Sequence, residues 1–195
     1  MNYTKRQISP RIYGWYKCIN SMFLGLNIGT IFTIYAPLEP SIYSLGGIIL
    51  AIAMLVIARL YPILMNISAF FTISLFVELV ILALVIYFLL YPYTYTTALF
   101  IYIGYQITFV FGNYLVRAET LILSDDRVLM RVDTLKQIGY LAGMVISWIF
   151  YKLQLYSGIS DKSQQIYNIH YLLFVCEVVI IYLLVKSFKV KSNIN

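Results

Sequence analysis

Two glutamates stand alone inside long apolar runs, and they are the first residues through which this chain could do chemistry. Glu78 interrupts the run from about Ile67 to Tyr91, and Glu177 the run from about Ile166 to Val185. Each lies about 10–12 residues from the ends of its run. At about 1.5 Å per helical residue that is near the middle of an apolar slab roughly 30 Å thick. A carboxylate there costs roughly 2.5–3.5 kcal/mol on insertion scales, so it must be protonated, paired or reached by water. A proton or cation relay, or a substrate contact, is one reading; a carboxyl hydrogen-bonded to a neighbouring helix is the other. The two sites resemble each other locally. Leu75-Phe76-Val77-Glu78-Leu79-Val80-Ile81 matches Leu173-Phe174-Val175-Cys176-Glu177-Val178-Val179-Ile180, as equivalent spans of a three-plus-three inverted repeat would.

Further polar groups sit at membrane depth. Asn20, Asn27 and Thr30 fall in one apolar run, and Gln106 and Asn113 in another. Asn20 to Asn27 and Gln106 to Asn113 are both steps of seven, which keep each pair on one helix face. Asn27, Gln106 and Asn113 are candidates to line a cavity, or they glue helices together. Tyr102 and Tyr105 share the second run. The densest charge lies between Arg117 and Gln137, in Arg117, Glu119, Asp125, Asp126, Arg127, Arg131, Asp133 and Lys136. This stretch reads either as a solvated cytoplasmic loop or as a gating network of Arg117, Glu119, Asp125, Asp126, Arg131, Asp133 and Lys136 at an inner mouth. Arg117 and Glu119 are too close in sequence to face each other on a helix; Arg117 would reach Asp125 or a neighbouring helix.

Other chemistries lack their residues. One histidine, His170, and two cysteines, Cys18 and Cys176, cannot furnish a zinc cluster, an HExxH site or a di-haem site. The cysteines read as reduced, buried thiols. No phosphate-binding loop of the G-x-x-x-x-G-K-[ST] form and no G-x-S-x-G elbow is present, and Ser157-Gly158 with Ser160 reads as a polar loop. The expectation is a protein that is not an enzyme and needs no cofactor or metal. The net charge of +6 does not point to nucleic acid, because the basic residues flank apolar runs and form no stripe.

The elements that must position these groups follow from composition. Of 195 residues, 62% are hydrophobic and 11% charged. Globular domains average about 45–50% and 25%, so a soluble fold would leave much apolar surface in water. The expected fold is all-α, a single transmembrane domain of six helices over about 18–38, 41–58, 67–91, 98–118, 135–151 and 166–185. Residues 1–16 and 186–195 would be cytoplasmic tails. With six spans, Lys5, Arg6, Arg11, Lys17, Arg59, Arg117, Arg127, Arg131, Lys136, Lys186, Lys189 and Lys191 lie on one side, and only Lys152 and Lys162 on the other. That asymmetry puts both termini in the cytoplasm and the protein, multi-pass, in the cell (inner) membrane. A cleaved signal peptide is disfavoured, since Ile34 would stand at minus three before Ala36. Gly25-x-x-x-Gly29 and Gly139-x-x-x-Gly143 are candidate helix contacts.

Six spans, both termini inside, and a charged segment running from Gly112-Asn113 through Arg117, Asp125-Asp126, Arg131 and Asp133 to Gly139-x-x-x-Gly143 resemble one half of a major facilitator superfamily transporter. The resemblance implies a secondary carrier of a small solute, with cavity groups on spans one and four at Asn27, Gln106 and Asn113, and a homodimer that would rebuild twelve helices. The family's loop between spans two and three reads like G-x-x-x-D-R-x-G-R-R; here it is Arg59-Leu60-Tyr61-Pro62. The other expectation is a non-transporting membrane scaffold or assembly subunit. Partners in either case are the lipid bilayer and a second copy or a membrane subunit.

Overall fold

The computed structural model describes residues 6–35 and 37–190. Lys5, Lys191 and Ala36, used in the charge and cleavage arguments, lie outside the described residues. The chain is helical apart from one small ribbon. The order is β1 (Arg6–Ile8), α1 (Pro10–Tyr35), α2 (Pro40–Arg59), α3 (Tyr61–Leu64), α4 (Ile67–Leu90), α5 (Tyr95–Val110), α6 (Gly112–Leu123), α7 (Asp126–Tyr156), α8 (Lys162–Ser187) and β2 (Phe188–Val190). Among the described residues, five helical stretches are long and apolar enough to cross a membrane: α2, α4, α5 with α6, α7, and α8.

Polar residues start these helices where the backbone needs acceptors. Asn66 accepts from the Ala69 amide at 2.9 Å, Thr94 from Thr97 at 3.0 Å, Asp125 from Arg127 at 2.8 Å, and Asp161 from Gln164 at 3.0 Å. Helix α4 is apolar nearly all round, as a span with lipid on one side and protein on the other must be, with Ser74 and Glu78 buried on its inner side.

α1 is the central rod, packed along α7 and α8, and α4 closes against α8. Glycines make the α1–α7 seam. A Cβ on Gly139 would meet the Cys18 carbonyl, one on Gly143 the Met22 carbonyl, and one on Gly25 the Tyr140 carbonyl. Backbones that close are possible only without side chains between them. Gly29 is different: its Cβ would meet the Tyr151 ring at 3.6 Å, an ordinary contact. At one end of the bundle Tyr13, Phe70, Phe71 and Phe188 form an aromatic plug, with Phe71 and Phe188 centroids 4.9 Å apart. α2 stands apart. It has no buried residue and leans on α5. Its Leu45, Ile48, Ile52 and Leu55 are exposed, which water would penalise and lipid tails do not.

Three expectations need correction. The segment between the fourth and fifth spans is no loop. α6 runs on to Leu123, Ser124 turns the chain with φ 35°, and α7 begins at Asp126. Helix α7 has 31 residues, about 46 Å at the helical rise, so it outreaches the roughly 30 Å hydrocarbon layer and carries its charged turns beyond it. The first helix begins at Pro10 and not near 18, inside the stretch expected as a tail. The fold is all-α apart from β1, which pairs antiparallel with β2, Gln7 opposite Lys189. The fourth span is also broken, at Phe111 between α5 and α6.

Candidate functional site

α1 presents Tyr13, Tyr16, Lys17 and Asn20 on one face, a spacing of three, four and seven that aligns side chains along a helix. All four reach acids on other helices. Tyr16 donates its hydroxyl proton to Glu78 Oε1 at 2.6 Å. Asn20 Nδ2 donates to Glu78 Oε1 at 3.1 Å and Oε2 at 3.3 Å. Tyr13 donates to Glu119 Oε2 at 2.6 Å, and Lys17 Nζ pairs with the same oxygen at 2.8 Å. The Lys17 ammonium also lies over the rings of Tyr13 and Tyr16, 5.6 and 5.4 Å from their centroids. The other oxygen of Glu119 pairs with Lys136 of α7, which is bonded to Asp133 at 3.0 Å.

Glu78 on α4 and Glu177 on α8 meet. Glu78 is 2% exposed and Glu177 0%, and their carboxyl groups are close enough to act directly on each other. Glu78 has three contacts with the hydroxyl and amide donors of α1. Neither oxygen of Glu177 receives a donor from any amide, hydroxyl or ammonium among the described residues. A buried polar atom left without a partner costs about 1–3 kcal/mol. For Glu177 the available remedy is a proton shared with Glu78.

The remaining candidates scatter. Asn27 is buried, donating to the Tyr105 hydroxyl at 2.5 Å and accepting from the Thr30 hydroxyl. Gln106 is half-buried with Oε1 unpartnered. Asn113 lies beyond the break at Phe111 and is exposed. The helical step of seven does not survive that break, so these three residues line no common cavity. The cavity beside Asn27 and Tyr105, closed by Leu84, Ile101, His170 and Leu173, measures about 10 Å³, room for about one water. His170 is buried, stacked on Phe88 at 3.9 Å with Nδ1 against the Ile166 carbonyl at 2.7 Å. Of the charged stretch, Glu119, Asp133 and Lys136 join the network. Arg117, Asp125, Asp126 and Arg131 are exposed and in no ion pair among the described residues.

Tyr13, Tyr16 and Lys17 are functional neighbours that reading by apolar runs passes over, because Lys17 ends the uncharged stretch. The signal was the polar face itself. No protein-family model, curated protein or solved structure matches this chain.

Proposed function

We propose that this chain is a six-span protein of the cell (inner) membrane, with α1 as the sixth span and both termini in the cytoplasm, working as a small secondary carrier whose coupling site is the Glu78–Glu177 pair. The observation that carries this reading is the pair itself: two carboxyls in contact, out of water, one with no other partner. A passive bundle would lose nothing by having leucine at Glu177, since a lone buried ionisable group is costly and adds no packing. Three features agree with it. The ribbon of β1 and β2 brings the first and last described residues together, as an even number of crossings requires. With six crossings, twelve of the fourteen lysines and arginines would lie on the side of that ribbon. The network from Asp133 through Lys136, Glu119 and Lys17 leads inward towards Glu78.

In this reading the interior is occluded, and a path would open by parting Asn27 of α1 from Tyr105 of α5. A homodimer in the manner of two major facilitator halves would supply twelve helices. The test is accessibility. In a chain with Cys18 and Cys176 replaced by alanine, Asn27→Cys is exposed to a membrane-impermeant maleimide in vesicles of each orientation. Labelling from both faces supports the carrier; protection from both faces removes it.

The second reading is a scaffold or assembly subunit. α2 favours it, being a 20-residue apolar helix with no buried residue, and so does the small interior cavity. It predicts protection of Asn27→Cys from both faces and co-purification with larger membrane subunits.

A further inference from the structure

We propose that the ion exchanged at this site is a proton, that it leaves from and returns to Glu177, and that Tyr16 and Asn20 are positioning residues that hold Glu78 as its fixed acceptor. The inference rests on the carrier reading and adds to it the ion and the division of labour.

Ligand chemistry decides the ion. A sodium ion in a membrane carrier needs several oxygen acceptors, and such sites are built from unwound backbone carbonyls and helix ends. Here α4 is continuous through Glu78 and α8 through Glu177, so the carbonyls around both acids are engaged in their own helices. The side chains nearest Glu78 turn hydrogens towards it, the Tyr16 O–H and the Asn20 N–H. The small cavity nearby is lined by neither glutamate. A proton needs no ligand shell.

The asymmetry decides the residue. Glu78 is held from α1 by three hydrogen bonds, whereas Glu177 has none of that kind. With one proton on the pair, Glu177 becomes the O–H donor and Glu78 the acceptor, and every oxygen that can be satisfied is. Lys17 and Lys136 offset the charge of Glu119 and the single negative charge of the pair, while the exposed Asp133 adds a further negative charge beside Lys136. On release the Glu177 O–H bond breaks and the proton passes to water on the open side. Two adjacent carboxylates remain, repelling α4 from α8, with Lys17 the nearest compensating cation. Tyr16 and Asn20 from α1 touch the pair, and the titratable groups near enough to act on it electrostatically are Tyr13 and Lys17 from α1, Tyr105 from α5, and Cys176 on α8 itself. α7 meets α8 at the far end, through Gln154, Gln165 and Asn168.

Transient currents from proteoliposomes on a solid-supported membrane test this, with pH jumps and sodium jumps applied separately. The wild-type protein displaces charge on a pH jump and not on a sodium jump. Glu177→Gln reduces the displaced charge at least tenfold, and Glu177→Asp restores part of it, which separates loss of the proton from loss of the fold. Tyr16→Phe keeps the amplitude but displaces the pH midpoint, which a merely structural role would not do. A current on a sodium jump that Glu177→Gln removes would overturn the ion while leaving the carrier. An undiminished pH-jump current in Glu177→Gln would overturn the site, again leaving the carrier. No current on either jump, with Asn27→Cys protected from both faces, would overturn both.

Discussion

Glu119 and Glu177 are the same side chain, both buried, and the fold treats them in opposite ways. Glu119, near the end of α6, sits between two ammonium groups and a tyrosine hydroxyl. Glu177, ten residues inside α8 from its end at Ser187, has only another carboxyl. The first arrangement is what a stable buried ion cluster needs, with each lone pair given a donor. The second leaves a group unsatisfied unless a proton is present. The contrast teaches that burial alone does not mark a working acid; the missing donor does.

The largest effect that would sharpen this contrast is at Glu119. Replacing it with Gln leaves Lys17 without a counter-charge and Lys136 with only the exposed Asp133, and we expect a loss of about 3 kcal/mol in unfolding from mixed micelles, since removing one partner of a buried pair costs roughly 3–5 kcal/mol and both lysines keep some solvent contact. Gly139→Ala comes next. Its Cβ would fall on the Cys18 carbonyl and push α1, with Lys17, away from α7, with Lys136; the expected loss is about 1–3 kcal/mol, against no measurable change for Gly29→Ala, where the added methyl only touches the Tyr151 ring. Tyr16→Phe removes one intramembrane hydrogen bond and should cost about 0.6 kcal/mol, at most about 1.7. Glu177→Gln should change stability least, within about 0.5 kcal/mol, because its amide can donate to Glu78 as a protonated acid would. If Glu177→Gln destabilised the protein as much as Glu119→Gln, the contrast would be broken and Glu177 would be a structural acid like the other.

Much of the frame was legible. The runs 41–58 and 67–91 match α2 and α4 to within a residue, because uncharged stretches bounded by Pro40, Arg59 and Asn66 leave no other ending. Where charge rides on a helix, the apolar run misleads. Lys17 sits inside α1 and Glu119 inside α6, each turned towards a partner, so counting uncharged residues began the first helix late and ended the fourth span early. The charged segment from Arg117 to Gln137 looked like a loop for the same reason. Its residues split by helix face: Glu119 and Lys136 point inward, and Arg117 and Arg131 outward. Depth could be estimated for Glu78 and Glu177 from their place in the runs, but not that they touch.

Composition and periodicity by themselves determined that the chain is a set of apolar helices, which of them interrupt their own apolarity with an acid, and which glycines are spaced to admit another backbone. Those are properties of one helix at a time. Only the tertiary structure decided which acid receives donors, since that depends on the rotation of α1 against α4, α6 and α8, and rotation is fixed by packing between helices that are far apart in sequence.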